Sequence, residues 1–208
     1  MTLRRAVAAF DFDGTLVPGD SLLPFVKQAA GPYRFTKAIL RHGPRVALAT
    51  LGRIGSRDEA KAAFVQTAFQ GLDATAVAAC GEVFAATLVD RLHPPAARRL
   101  RWHQAQGHEI VLISASLSVY LEPLGRLLGL TAVLATALEE GPDGRLTGSL
   151  VGANVRGPEK VRRLQQWLRA SASEVWAYGD SAGDRELLAA ADHPLLVRRG
   201  QWPFSDAD

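Results

Sequence analysis

Two aspartates close an apolar run near the start of the chain, in the stretch AVAAFDFDGT. Asp11 and Asp13 lie two residues apart, and Gly14 and Thr15 after them allow the chain to turn. A straight strand would point the two carboxylates to opposite faces, whereas a turn brings Asp13 back beside Asp11. Paired carboxylates can share nucleophilic and acid–base work, so the end of this run is a candidate active site.

Further polar side chains stand at the ends of other apolar runs. Ser114 and Asp180 end two of them, and Asp184 lies about one helical turn beyond Asp180. Lys160 lies near the start of the helical pattern that precedes the run ending at Asp180. Because the carboxyl ends of parallel strands open on one crevice, these side chains are expected to meet the two aspartates of the first run.

Several carboxylates in one crevice repel one another. Two unit charges about 4 Å apart cost roughly 4 kcal/mol at an effective dielectric constant of about 20. A divalent cation offsets this repulsion, and oxygen ligands without histidine or cysteine favour Mg²⁺, which also takes substrate phosphate as a ligand. The cluster therefore predicts phosphoryl chemistry. One carboxylate would attack phosphorus, Asp13 would protonate the leaving oxygen and then activate water, and Ser114 and Lys160 would hold the phosphoryl oxygens.

Five short apolar runs carry these residues, and helical patterns separate most of them: AVAAFDF, EIVLISAS, TAVLATAL, EVWAYGDS and PLLVRR. The alternation predicts an α/β fold with a doubly wound, Rossmann-like parallel sheet and helices on both faces. About 95 residues separate the first two runs, far more than one crossover needs. Residues 18–92 are helical in pattern almost throughout and are interpreted as an inserted all-helical subdomain. Residues 1–17 and 93–208 then form the core.

Local signals mark the boundaries of several elements. Asp73 is a candidate N-cap, Pro94 begins the helix that returns to the core, and Gly107 ends it. The turn residues 142–144 predict a hairpin at the sheet edge. The first half of the insertion divides into three helical stretches, SLLPFVKQAA, PYRFTKAILRHG and PRVALATLGRI.

The motifs DFDGT, LISAS, Lys160 and GDSAGD occur in the order found in the haloacid dehalogenase-like phosphatases, and the sheet domain resembles that superfamily from end to end. The insertion between the first two motifs resembles the C1 cap of subfamily IB, which includes phosphoserine phosphatases and phosphatidylglycerophosphatase C-like enzymes. The resemblance implies Asp11 as nucleophile and Asp13 as general acid/base. It also implies that Ser114 and Lys160 bind the phosphoryl group. The implied cofactor is Mg²⁺, with ligands from Asp11, the Asp13 backbone carbonyl, Asp180 and Asp184.

Three positions depart from the pattern of phosphoserine phosphatases. Arg156 stands before Gly157, where those enzymes often have the motif-three lysine, so Arg156 is the alternative to Lys160. Motif two reads Ser-Ala-Ser rather than Ser-Gly-Gly, and Ser116 is expected to shape a different substrate pocket. Asp20 stands where those enzymes carry a substrate-sensing glutamate. Arg156, Ser116 and Asp20 are therefore candidate substrate-binding residues.

Composition restricts the partners and the location. Twenty-four lysines and arginines against 21 acids give a net charge of +3, and their dispersal disfavours a nucleic-acid partner. One cysteine excludes an internal disulfide and suits a reducing cytoplasm. No apolar stretch approaches the roughly 18 residues of a membrane span, so we expect a cytoplasmic protein without membrane insertion. Basic and apolar residues alternate over residues 32–54, which leaves peripheral contact with an anionic lipid surface open beside simple cap packing.

The sequence thus predicts a Mg²⁺-dependent phosphomonoester hydrolase that works through a covalent aspartyl-phosphate on Asp11. The expected substrate is a small phosphomonoester of the phosphoserine or histidinol phosphate class. Alternatives are a lipid phosphate such as phosphatidylglycerophosphate, and phosphotransfer to an acceptor other than water. A non-catalytic phospho-acceptor or binding domain is a third alternative, which the presence of both Asp11 and Asp13 disfavours. No motif indicates an oligomeric state.

Overall fold

The five apolar runs form one parallel sheet. The computed structural model describes residues 5–50, 56–169, 173–198 and 201–202. The strands of this sheet are β1 Arg5–Phe10, β2 Glu109–Leu117, β3 Ala132–Thr136, β6 Ser173–Gly179 and β7 His193–Leu196, and a separate antiparallel pair comprises β4 Leu138–Glu140 and β5 Leu146–Leu150. The five-stranded sheet has the order β3-β2-β1-β6-β7, with every neighbouring pair parallel. The predicted α/β class is confirmed.

Both faces of the sheet are covered by helices. Ala8 and Phe10 of β1 belong to one apolar core, whereas Val7 and Ala9 belong to a second, because successive strand residues point to opposite faces. The first core takes residues from α4 Pro94–Ala105 and α5 Ser118–Leu127, and also from the helical segment between β1 and α4. The second takes residues from α6 Pro158–Leu168 and α7 Arg185–Ala189. The sheet is therefore doubly wound, as predicted.

The strand order reverses between β1 and β6. From β1 the chain proceeds to β2 and β3 on one side, and then to β6 and β7 on the other. Phe10 pairs with Tyr178, so the two strands end side by side. Ligands of such sheets bind in the crevice outside the strand ends at this reversal, and the aspartates that follow β1 and β6 lie there.

Three helices form the insertion between β1 and α4: α1 Leu22–Thr50, α2 Arg57–Phe69 and α3 Ala74–Val89. Gly31, at φ 77° and ψ 165°, breaks α1 just before Pro32, as the sequence indicates. The predicted break at Pro44 is wrong, since the helix continues through it. Pro44 leaves the Leu40 carbonyl without a helical donor, but both residues are exposed, so water can bond that carbonyl. Residues 51–55 of the third predicted stretch lie outside the described residues.

One further boundary was predicted in the insertion, the start of its last helix at Asp73. The Asp73 carboxylate accepts a hydrogen bond from the Ala76 amide at 2.9 Å, which confirms it as the N-cap of α3. The His93 amide donates to the Leu16 carbonyl at 2.8 Å, so the two chain crossings into the insertion are neighbours. This contact supports our proposed division between residues 18–92 and the core. No helix in the described part of the chain combines the length and apolarity that crossing a bilayer demands.

The β4–β5 hairpin forms at the predicted turn, but it packs against the insertion as well as following the edge strand. The Gly71 amide, just beyond α2, donates to the Leu146 carbonyl, and the Leu146 amide donates to the Leu72 carbonyl, both at 2.8 Å. A Cβ at Gly148 would lie 3.1 Å from the Gln66 Cα of α2. The hairpin therefore ties the core to the helical insertion, a contact between distant segments that no local turn signal specifies.

Candidate active site

The turn after β1 places the first two aspartates. The Asp11 amide donates to the Tyr178 carbonyl at 2.9 Å, which extends the pairing of β1 with β6 by one residue. The chain then turns, with the Leu16 amide donating to the Phe12 carbonyl at 2.8 Å. Gly14 adopts φ 81°, and a Cβ there would lie 2.1 Å from an Asp180 carboxylate oxygen. Only glycine allows both this backbone conformation and this close approach.

Three carboxylates meet where β1 and β6 end. Oxygens of Asp11, Asp180 and Asp184 all lie within 4.8 Å of one another. Burial raises the pKa of Asp180 to about 6, and the Asp11 and Asp184 charges add to the shift. Burial likewise raises the pKa of Asp11, while the Lys160 ammonium opposes that shift. The cluster thus concentrates negative charge that a cation would stabilise.

Lys160 is a cation that contacts this cluster. Its ammonium donates to Asp11 Oδ1 and to Asp184 Oδ1, each at 2.5 Å. Burial lowers the pKa of Lys160, but the two carboxylates outweigh burial and hold the pKa above its ordinary value. Pro158 at the start of α6 places this residue in the first helical turn, facing the strand ends.

Asp184 is fixed by the turn that follows β6. The Ser181 amide and hydroxyl both donate to Asp184 Oδ2, at 3.0 and 2.8 Å. A Cβ at Gly179 would lie 2.4 Å from the Asp184 Cβ, so glycine is needed where the strand meets this turn. One Asp184 oxygen thus holds the turn while the other faces Lys160.

Asp13 lies apart from the three-carboxylate group and has its own hydrogen-bond partners. Its carboxylate accepts from the Ser21 amide at 2.9 Å and from the Ser116 hydroxyl. Burial raises its pKa to about 7, against the effect of these hydrogen bonds. Its side chain is not part of the three-carboxylate group found among the described residues. A carboxyl with a pKa near neutrality can both donate and accept a proton.

Ser114 and Ser116 lie in an irregular stretch of β2. The pairing of β2 with β3 shifts between Ser114 and Leu117, which breaks the usual alternation of side chains. The Ser116 amide donates to the Ser114 hydroxyl at 3.1 Å, while the Ser116 hydroxyl bonds Asp13. Both serines therefore face the same crevice as the aspartates.

All nine residues predicted for the site line one cavity of about 700 Å³: Asp11, Asp13, Asp20, Ser114, Ser116, Arg156, Lys160, Asp180 and Asp184. Asp20 accepts from the Leu23 amide at 3.0 Å and so also caps α1. Arg156 packs over Gly183, where a Cβ would lie 3.1 Å from Arg156 Nε. Lys160 rather than Arg156 bonds the carboxylates, which supports Lys160 in the motif-three role.

The cavity also contains residues that the motifs do not identify. Lys61 and Asp58 reach it from α2, and Asn154 reaches it from the loop after β5. One feature of the sequence indicates that Lys61 faces the protein. It falls on the same helical stripe as the buried Phe64, Val65 and Ala68. A charged residue on an apolar stripe indicates a specific buried contact.

The fold and site define an α/β enzyme with a carboxylate-centred cavity between a parallel sheet and a helical cap. A family model described as haloacid dehalogenase-like hydrolase matches residues 8–189. The chain therefore belongs to the haloacid dehalogenase-like hydrolases. The insertion stands where the C1 cap of subfamily IB was predicted.

Three curated relatives are similar over different spans. Protein CicA of Caulobacter vibrioides is 37% identical over 190 residues, 89% of this chain and 83% of CicA. Phosphoserine phosphatase SerB1 of Mycobacterium tuberculosis is 30% identical over 218 residues, 97% of this chain and 70% of SerB1. Histidinol-phosphatase of Neisseria meningitidis is 31% identical over 122 residues, 56% of this chain and 55% of that protein. A solved structure of a protein with unknown function from Bordetella pertussis has a TM-score of 0.73 and 27% identity, and covers 90% of this chain and 87% of that one.

Proposed function

We propose that this chain hydrolyses small phosphomonoesters through a covalent phosphoryl group on Asp11, with Mg²⁺ as cofactor. That it is a phosphomonoester hydrolase follows from its family together with its phosphatase relatives; the proposal concerns the covalent step, the metal and the substrate. The observation that carries the proposal is the meeting of Asp11, Asp180, Asp184 and Lys160 at the reversal of strand order.

The donor set fits a hard divalent cation. Every candidate ligand is an oxygen, and the three carboxylates lie close enough to contact one ion. Asp11, Asp180 and Asp184 would hold Mg²⁺, with the Asp13 backbone carbonyl as a further ligand by resemblance to the family. Bound there, Mg²⁺ would neutralise charge on the phosphoryl oxygens and make phosphorus more electrophilic.

The residues of the chain support a two-step reaction. An Asp11 oxygen attacks phosphorus, the bond from phosphorus to the leaving oxygen breaks, and Asp13 gives that oxygen a proton. The Asp13 carboxylate then takes a proton from water as the water oxygen attacks the phosphorus of the aspartyl-phosphate. Inorganic phosphate leaves and both aspartates return to their starting states. Ser114 and Lys160 hold the phosphoryl oxygens throughout.

Two contacts orient the proposed acid/base. The Ser21 amide and the Ser116 hydroxyl hold separate oxygens of Asp13, so the carboxyl keeps one orientation toward the leaving group. Ser21 is itself fixed by the buried Tyr120 hydroxyl, at 2.8 Å. Ser116, predicted only as a substrate-binding candidate, therefore also contacts the proposed proton donor.

The relatives and the cavity support a small substrate. SerB1 is named a phosphoserine phosphatase, and the Neisseria relative is named a histidinol-phosphatase. A cavity of about 700 Å³ accommodates ligands of that size. We therefore propose a phosphomonoester of the phosphoserine or histidinol phosphate class, with Asp20, Ser116 and Arg156 near its leaving group.

One observation favours a lipid phosphate as the second candidate. Residues 32–57 contain six lysines and arginines and no acid, while the other 18 basic residues are outnumbered by the 21 acids of the chain. On α1 the side chains of Tyr33 and Leu40 are 79% and 76% exposed, next to the exposed Lys37 and Arg41. Such a mixed basic and apolar surface is complementary to anionic lipid headgroups.

A panel of phosphate esters tests the proposal. The protein is first treated with EDTA to remove metal, and phosphate release is measured before and after Mg²⁺ is restored. The panel contains phosphoserine, histidinol phosphate, p-nitrophenyl phosphate and lysophosphatidate in anionic vesicles. We expect release of phosphate from a small ester to rise about 10²-fold or more with Mg²⁺, because the metal supplies several kcal/mol of charge stabilisation. Release from the lipid alone would favour the second candidate. Transfer of one phosphoryl group to each chain, with no further release of phosphate, would contradict hydrolysis.

A further inference from the structure

A lysine of the cap contacts the core at the active site. Lys61 lies on α2, and its ammonium donates to the Ala115 carbonyl and, at 2.6 Å, to Asn154 Oδ1. No ion pair of Lys61 occurs among the residues that the structure describes. Burial lowers its pKa to about 8, while Asp58, Asp20 and Asp13 counteract that effect. A half-buried cation held by neutral acceptors loses stabilisation if those bonds are broken.

The Ala115 contact acts on the segment that carries Ser114 and Ser116. Ala115 stands between Ser114, a proposed phosphoryl-binding residue, and Ser116, which bonds Asp13. This segment departs from regular strand pairing, so β2 alone does not fix its carbonyls. The Lys61 ammonium supplies a donor for one of them. Removal of the ammonium would leave the peptide group between Ala115 and Ser116 without this donor.

The Asn154 contact acts on the segment that leads to Lys160. Asn154 Oδ1 accepts from Lys61 and from the Thr136 hydroxyl at 3.0 Å, and Asn154 Nδ2 donates to Asp58 at 2.7 Å. Asp58 and Lys61 are three residues apart on α2, so two neighbouring side chains of one helix face hold Asn154. Four residues after Asn154, Pro158 begins the helix that carries Lys160.

We propose that Lys61 is a positioning residue that couples docking of the cap to assembly of the catalytic site. One cap side chain contacts both core segments that deliver Ser114 and Lys160. With α2 seated, these segments are fixed and water has limited access to the cavity. When α2 lifts, the bonds break, Asp13 loses the support of Ser116, and solvent enters. The inference rests on the proposed covalent mechanism.

Two variants and a control test the role. Lys61→Met keeps the length and apolar stem but removes the donors, Lys61→Arg keeps donors, and Lys27→Met changes an exposed lysine of the cap. We expect Lys61→Met to lower kcat about 10- to 100-fold, because small misplacements of catalytic groups cost that much. Lys61→Arg should recover part of the loss, and Lys27→Met should match the parent protein.

The partition of the phosphoryl group separates positioning from simple loss of folded protein. Added glycerol competes with water as the acceptor of the phosphoryl group. The ratio of glycerol phosphate to inorganic phosphate then does not depend on how much enzyme is active. A loosened cap should raise that ratio severalfold in Lys61→Met. A parent protein that turns over, beside a Lys61→Met variant with unchanged kcat and ratio, would overturn the inference and leave the proposed function standing. A parent protein without turnover would instead refute the proposed function.

Amide hydrogen exchange tests the contact without reference to activity. In Lys61→Met, exchange over residues 114–116 and 154–156 should become faster than in the parent protein, while Lys27→Met should show no change. Equal exchange in all three proteins would overturn the proposal, whatever the outcome of the phosphate assays.

Discussion

Replacing Asp11 by Asn is expected to lower phosphate release by about 10⁴-fold or more, because an amide cannot form the proposed phosphoryl intermediate. The change is nearly isosteric. Burial raises the pKa of Asp11, which means that the folded protein disfavours its charge, so Asn should leave the melting temperature within a few degrees of the parent value. Assays of phosphate release and thermal unfolding, run on the same preparation, check both expectations.

The matched control for this variant is Asp90→Asn. Asp90 is an exposed C-cap residue of α3 outside the cavity lining, so its replacement tests the effect of losing one aspartate. It should retain parental activity. Retention of a tenth or more of the parental rate by Asp11→Asn, in folded protein, would refute Asp11 as the nucleophile.

Replacing Lys160 by Ala is expected to have the second largest effect. The change removes the ammonium that bonds both Asp11 and Asp184, so two buried carboxylates lose their shared cation. Breaking such a buried pair costs about 3–5 kcal/mol, which corresponds to a fall of roughly 10 °C in the melting temperature of metal-free protein. Loss of a phosphoryl-binding cation should also lower kcat/KM by about 10³-fold. Added Mg²⁺ should raise the melting temperature more in this variant than in the parent protein.

Arg156→Ala is the comparison that decides the motif-three role. Arg156 lines the same cavity but packs over Gly183 and is not bonded to the carboxylates by any contact that the described residues show. Its loss should lower kcat/KM less than tenfold, with the main effect on KM. A larger loss in Arg156→Ala than in Lys160→Ala would assign the role to Arg156. If Lys160→Ala proves too unstable to assay, Lys160→Met keeps the buried stem and permits the same comparison.

The sheet and the clustering of the candidate site residues were predictable, because the strands follow a local pattern and their ends follow one general rule of parallel sheets. The central strands β1 and β2 are largely continuous apolar runs, since most of their residues are buried on both faces of the sheet. Residues at the carboxyl ends of such strands share one edge, whatever the spacing between them in the sequence. That rule brought Asp11 and Asp180 together although 169 positions separate them in the numbering.

The cap contacts were not predictable, because they depend on how a distant helix docks. Lys61 contacts Ala115 and Asn154 across 54 and 93 positions. Ala115 belongs to motif two, but no motif marks Lys61 or Asn154. The packing of the hairpin against α2 was unpredictable for the same reason, since a turn signal predicts the hairpin but not the helix beside it. Pro44 shows a further limit: its cost to a helix depends on whether water reaches the freed carbonyl, which sequence alone does not state.

The covalent phosphoryl group on Asp11 is the central claim, and trapping with hydroxylamine tests it most directly. Hydroxylamine displaces phosphate from an acyl phosphate and leaves a stable hydroxamate, which peptide mass spectrometry assigns to one residue. During turnover in its presence we predict progressive inactivation and a hydroxamate at Asp11, with neither in protein lacking substrate. Continued turnover without modification, or a hydroxamate at Asp13 instead, would contradict the account.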